Sequence, residues 1–263
     1  MTKPLAILAA AVTLVSMYLS TRAQAFTHVT IDGRDLRMLV MGQGPITVVF
    51  ENGAGASLEM WGKVQPAVSQ FARTVSYDRA GSRLSDPVPG RRDGRRISSE
   101  LRRALTAAGI QPPYILAGAS VGGPYVRIFA GTYPHDVAGM VLVDPTTDQQ
   151  RFDDADGAAF ESWSATREQS AGSNVPPGIP VMLIDAISPL EVPFASERIR
   201  AMRRKNRPEI EADTIEYGRW LSTFSGGKMI TTHRSGHNVT IEEPRLVVET
   251  IRQIVADIAS RLP

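Results

Sequence analysis

The stretch Gly118-Ala119-Ser120-Val121-Gly122 constrains this chain more than any other, because of what stands on either side of it. Residues 114–117, Tyr-Ile-Leu-Ala, form a short apolar run that predicts a buried strand. Residues 121–131 carry Val121, Tyr125, Ile128 and Phe129 at helical spacing. A strand that passes into a helix through Gly-x-Ser-x-Gly is a nucleophile elbow. The sharp turn puts Ser120 in a strained backbone conformation, and the glycines two positions away let strand and helix approach closely. The hydroxyl then stands clear of the sheet, at the N-terminus of a helix whose free N–H groups suit a developing oxyanion. The pentapeptide alone selects little, since small residues are common; the strand–turn–helix context gives it weight.

The rest of the chain keeps the same rhythm. Residues 27–31 and 36–41 flank Asp32-Gly33, a hairpin signal. Residues 46–51 are an apolar run ending in Asn52-Gly53-Ala54-Gly55. A helix is expected over 61–71, a strand over 74–77 before Asp78-Arg79-Ala80-Gly81, and a helix over 98–108 capped by Ser98 or Ser99. Strands are expected at 138–143, 181–184 and 229–232, and a closing helix over 243–262 with Val247, Ile251, Ile254, Val255 and Ile258 on one face. Continuous apolar strands alternating with helices imply an α/β fold, a mostly parallel sheet with helices on both faces. Two stretches break the rhythm: 146–178 is polar and acidic, and 190–225 is charged and helical. Insertions beyond strand C-termini would lie over a site there, as a small helical cap.

The N-terminus reads as a leader. Lys3 precedes an apolar run at 4–19, and Ala23-Gln24-Ala25 is a small-x-small cleavage signal before Phe26. The run is shorter than the ~20 residues a membrane span needs. A signal peptide over 1–25 is therefore expected, with a single domain over 26–263, export to the periplasm or medium, and no membrane anchor after cleavage. The whole chain has 29 Lys and Arg against 27 Asp and Glu. Lys3 and Arg22 leave with an acid-free leader, which makes the balance 27 against 27. The pI of 9.0 thus argues for neither nucleic acid nor anionic membrane as partner. With no cysteine, thiolate chemistry and Cys-based metal sites are excluded. His233 and His237 are four apart, but Gly236 between them argues against a metal-binding helix face, and no metal or cofactor is expected.

A serine hydroxyl needs a base. Ser235-Gly236-His237 follows the last strand, and in a doubly wound sheet that loop shares an edge with the elbow, so His237 is the natural general base. His233 reads as structural within the strand run, His135 as a surface residue, and His28 as remote in the first strand. The imidazole in turn needs a carboxylate. Asp144 ends the strand at 138–143, Asp185 ends that at 181–184, and Glu191 follows in the next loop; position alone does not rank them.

With these residues in place the chain resembles the serine-nucleophile α/β-hydrolases, the small esterase-like kind, over essentially everything after the leader. The matching stretches, in the family's order, are Glu51-Asn52-Gly53-Ala54-Gly55, Tyr77-Asp78-Arg79-Ala80-Gly81, Gly118-Ala119-Ser120-Val121-Gly122-Gly123, Val141-Leu142-Val143-Asp144-Pro145 and Ser235-Gly236-His237. The resemblance implies Ser120 as nucleophile, His237 as base, and the Ala54 and Val121 N–H groups as oxyanion hole. Most members carry the acid after the strand that here ends near Asp185, in a Gly-x-x-Asp pattern; this chain reads Asp185-Ala186-Ile187-Ser188-Pro189. Some members place it one strand earlier, which favours Asp144, with Asp185 and Glu191 as alternates. Two further departures are Asn52-Gly53 in place of His-Gly, and Ala119 where His is frequent.

The expectation is an exported serine hydrolase that cleaves small acyl esters through an acyl-enzyme, without cofactor. The alternatives are a ligand-binding protein on the same fold, or a lyase or acyltransferase using the same residues. Other readings fail on single residues. Leu58 stands where a dinucleotide fingerprint needs its third small residue, and no Lys follows either Gly-rich loop as a phosphate loop requires. Dehalogenation on this fold takes an Asp nucleophile, and position 120 is Ser. Asp78 and Arg79 are expected to brace loops.

Overall fold

The structure, a computed structural model, describes residues 26–148, 161–186 and 207–261. The expected leader 1–25, Glu191, and residues 149–160 and 190–206 of the inserted stretches lie outside the described residues.

Eight strands form one sheet: β1 (Thr27–Ile31), β2 (Arg34–Met41), β3 (Thr47–Glu51), β4 (Arg73–Tyr77), β5 (Tyr114–Ala119), β6 (Val137–Val143), β7 (Val181–Ala186) and β8 (Lys228–Thr232). Their spatial order is β1-β2-β4-β3-β5-β6-β7-β8. β2 runs antiparallel to both β1 and β4, and every pair from β4 to β8 is parallel. The β1–β2 turn has positive φ at Asp32 (50°) and Gly33 (72°), the twist a two-residue hairpin needs.

The central strands show no polar alternation because both faces are covered. Val49, Leu116, Leu142 and Leu183 point to one side, where they pack with Leu101, Leu105, Val126 and Phe129 of helices Gly94–Ala107 and Gly122–Thr132. Val48, Phe50, Ile115, Val141 and Ile184 point to the other, against Val247, Ile251 and Ile254 of helix Pro244–Ala259. Each such fully buried aliphatic side chain contributes roughly 1.5–3 kcal/mol of transfer free energy. Parallel topology puts all the strand C-termini from β3 to β8 on one edge, and Ala54, Ser120, Val121, Asp144, Asp185 and His237 all lie at or just beyond strand C-termini on that edge.

Several boundaries differ from expectation. The helix assigned to 98–108 starts earlier, at Gly94, because Asp93 caps it by accepting from the Arg96 N–H at 2.9 Å. The helix assigned to 61–71 is instead a 3-10 turn, Leu58–Trp61, and a short α-helix, Gln65–Val68, with Gly62 after the first and Pro66 opening the second. β7 continues to Ala186, so Asp185 lies inside a strand rather than at its end. β8 stops at Thr232, and His233 is an exposed residue beyond it rather than part of the strand. His135 is exposed in a 3-10 turn and His28 is exposed on β1, both away from the strand C-termini.

Of the inserted stretches, two helices are described. Trp163–Ala171 packs beside the elbow helix, with Trp163 stacked on Tyr125 at 5.9 Å between ring centroids. Arg207–Leu221 packs against β7 and β8 and reaches the segment after β6, where Thr147 Oγ1 donates to Asp213 and the Tyr217 hydroxyl donates to the Pro145 carbonyl. No described helix is long and apolar enough to cross a membrane.

Candidate active site

Ser120 sits between β5 and helix Gly122–Thr132 with φ +54°, a left-handed conformation that costs an L-residue roughly 1–2 kcal/mol. Backbone bonds hold it there: its N–H donates to the Val143 carbonyl (3.1 Å), and its carbonyl accepts from Gly123 (2.9 Å) and Thr146 (3.0 Å). The turn is possible only because the residues two positions away on either side, Gly118 and Gly122, lack side chains. A Cβ on Gly118 would stand 2.4 Å from the Gly122 carbonyl oxygen, and one on Gly122 would stand 2.4 Å from that of Glu51.

The loop after β8 presents His237. Two glutamates fix that loop: Glu242 accepts from the Gly236 N–H at 2.7 Å, and Glu243 accepts from Ser235 Oγ at 2.8 Å and from Thr232 Oγ1 at 2.5 Å. His237 Nε2 lies 2.9 Å from Ser120 Oγ, and Nδ1 lies 2.6 Å from Asp144 Oδ2. Three residues separated by 117 and 93 positions thus form one hydrogen-bonded chain. Asp144 is itself at φ +42°, its N–H bonded to the Ile184 carbonyl (2.7 Å), and its Oδ1 accepts from the Ala186 N–H (3.0 Å). With both carboxylate oxygens engaged, the Asp144 side chain has little freedom to turn. The hydrogen bond to Asp144 raises the imidazole pKa above its ordinary value; burial opposes this and the Asp144 charge reinforces it.

Asp185 is not part of that chain. Its Oδ2 accepts from Thr214 Oγ1 at 2.8 Å, and burial, with Asp144 and Asp213 nearby, pushes its carboxyl above the usual range. Ala54 is exposed on the loop after β3, and Val121 is the residue after the serine. Among the described residues neither N–H donates to a protein acceptor. Gly53 packs against the serine, a Cβ there meeting Ser120 Cβ at 3.5 Å. Asn52, in the place of the usual histidine, is locked at both ends of its amide: Nδ2 donates to the Tyr77 carbonyl (2.7 Å), and Oδ1 accepts from Trp61 Nε1 (3.0 Å).

Arg79 braces this loop as expected, donating to the Asn52 and Gly53 carbonyls, and it does so from a buried ionic cluster whose partners the sequence did not indicate. Arg79, Glu51 and Glu161 are each about 1% exposed, and Arg79 binds both carboxylates. Glu51 also accepts from the Tyr77 hydroxyl at 2.5 Å, and Glu161 accepts from Tyr125 (3.0 Å) and Arg92 (3.3 Å). Burial pushes Glu51 above the usual carboxylate range, with Arg79 and Tyr77 offsetting only part of it. Burial acts on Glu161 too, but Arg79 and Arg92 outweigh it and hold that carboxyl low. The sequence signals that could have found its members are Arg79, expected to brace a loop, and Glu51, a carboxylate closing a fully buried strand. Among the described residues no group of three or more His, Asp or Glu side chains is arranged to hold a metal ion.

The chain belongs to the α/β-hydrolase family. The family model described as alpha/beta hydrolase fold matches residues 46–180, about half the chain. YqjL, an uncharacterized protein of Bacillus subtilis (strain 168), is 35% identical over 104 residues, 40% of this chain and 41% of that protein. Pyrrolizixenacetamide deacetylase of Xenorhabdus hominickii is 30% identical over 102 residues, 39% of this chain and 38% of that enzyme. The match therefore spans less than half the length of either relative. Among solved structures, a thermophilic esterase from Thermogutta terrifontis superposes with a TM-score of 0.63 at 16% identity, covering 89% of this chain and 99% of the esterase.

Proposed function

We propose that this protein is an exported serine hydrolase that cleaves acyl esters through Ser120, His237 and Asp144. The observation that carries the reading is the unbroken chain from Ser120 Oγ to His237 Nε2 (2.9 Å) and from His237 Nδ1 to Asp144 Oδ2 (2.6 Å), with the serine on an elbow at φ +54°. Asp144 holds Nδ1 protonated, which leaves Nε2 free to take the hydroxyl proton. Ser120 Oγ attacks the acyl carbon, and the carbonyl electron pair moves onto oxygen between the Ala54 and Val121 N–H groups. Collapse of that intermediate expels the alkoxide, which His237 protonates. Water then attacks the acyl-enzyme, giving its proton to His237, and the acid leaves as Ser120 recovers its proton. Helix Trp163–Ala171 belongs to the cap, and the substrate is a small molecule that enters beneath it. An esterase among the structural neighbours and a deacetylase among the relatives are consistent with acyl chemistry.

The experiment is fluorophosphonate labelling with a panel of p-nitrophenyl esters of increasing acyl length. Wild-type protein should label and turn over, and Ser120→Ala should lose both while keeping its thermal midpoint. Labelling that persists in Ser120→Ala would move the nucleophile elsewhere. A wild type that binds esters without turnover would make the fold a receptor.

A further inference from the structure

The guanidinium of Arg79 meets the loop after β3 at two successive carbonyls. Nη1 donates to the Asn52 carbonyl (2.8 Å) and to Glu51 Oε1 (2.8 Å). Nη2 donates to the Gly53 carbonyl (2.9 Å) and Glu161 Oε2 (3.3 Å), and Nε donates to Glu161 Oε1 (2.7 Å). The Gly53 carbonyl and the Ala54 N–H belong to one planar trans peptide and point in opposite directions. A donor that holds the Gly53 oxygen toward the protein interior therefore turns the Ala54 N–H away from it.

We propose that Arg79 is a positioning residue that aims the Ala54 N–H at the acyl oxygen, with Glu51 and Glu161 fixing the plane of its guanidinium. The proposal rests on the serine-hydrolase reading above. It also links the oxyanion loop to Glu161, within the first inserted stretch, across 82 positions of sequence.

The test is Arg79→Lys, assayed with p-nitrophenyl butyrate. An ammonium keeps the charge but not the planar fork that serves two carbonyls and two carboxylates together. We expect kcat to fall by roughly 10²-fold, the order seen when one oxyanion donor is lost, with KM little changed. Propyl trifluoromethyl ketone, whose adduct with Ser120 carries an oxyanion, should weaken by the same factor as kcat/KM. Propyl methyl ketone should bind as before, and the acid limb of the pH profile should not move. Tyr125→Phe, which removes a bond to Glu161 but none to the carbonyls, should lower the thermal midpoint and spare kcat. An Arg79→Lys enzyme with wild-type kcat, or one that weakens both ketones alike, overturns the proposal. Should Arg79→Lys not fold, Glu161→Gln takes its place: a selective, smaller loss of the fluorinated ketone supports the proposal, and no selective loss overturns it. A wild type that neither labels at Ser120 nor forms the ketone adduct defeats the serine-hydrolase reading instead, and is seen before any Arg79 variant is made.

Discussion

Asp144 and Asp185 each stand one residue beyond a paired position of β6 and β7, Val143 opposite Ile184, yet only Asp144 meets the imidazole. Asp144 leaves the sheet at φ +42° and reaches His237 Nδ1 at 2.6 Å. Asp185 stays in β7, opposite Thr231, and is bonded to Thr214. Asp144→Asn should therefore lower kcat by up to ~10⁴-fold with little change in KM, because the amide favours the wrong imidazole tautomer. Asp185→Asn should cost far less. Steady-state kinetics on both variants, each shown folded by circular dichroism, decides this; the reverse ranking would reassign the acid.

The pH profile should carry the same relationship. His237 acts as base only when neutral, and its folded pKa is raised, chiefly by the hydrogen bond to Asp144. The acid limb of kcat/KM should then fall above the ordinary imidazole value of about 6.5 and move down in Asp144→Asn. The sign for stability is the opposite of that for an ion-paired carboxylate whose pKa is depressed: the pairing adds stability below the unfolded pKa and loses it as pH rises through the raised one. The ring is 59% exposed, so the thermal midpoint should change little; the rate profile is the informative measurement.

Backbone strain at the elbow should be measurable. Ser120→Gly relieves φ +54°, whereas Ser120→Ala keeps it. The glycine variant should be more stable than the alanine variant by about 1 kcal/mol, although both lose labelling. Equal denaturant midpoints would show that no strain is stored there.

Gly118→Ala should do the opposite. Its Cβ would lie 2.4 Å and 2.6 Å from the carbonyl oxygen and carbon of Gly122, backbone atoms that cannot swing aside. A destabilisation of at least ~2 kcal/mol is expected, with turnover lost through displacement of Ser120. Denaturant unfolding at wild-type midpoint would contradict it.

Export rests on Lys3, the apolar run and Ala23-Gln24-Ala25. N-terminal sequencing of the exported protein should begin at or near Phe26; Met1 retained in a membrane fraction would contradict the leader.

What the sequence determined by itself is what local physics writes locally. The apolar runs of β3, β5, β6 and β7, the Asp32-Gly33 hairpin and the Gly-rich turn around Ser120 announce strands, a parallel sheet and an elbow. Each depends on periodicity or on turn residues within a few positions. His237 was legible as soon as the fold placed the loop after the last strand on the elbow's edge. Element starts were less so, since Asp93 rather than either serine supplied the cap of its helix.

Tertiary structure decided which groups meet. Asp144 and Asp185 look alike in sequence; a positive φ at one and a Thr214 partner for the other separate them, and neither is a property of the neighbouring residues. Asn52 departs from the family's histidine, yet Tyr77 and Trp61 hold its amide, and nothing adjacent in sequence predicts that pair. The Arg79 cluster draws on Glu51 and Glu161 from separate segments of the chain. A buried charge must find its partners wherever the fold brings them, and only three-dimensional packing brings these together.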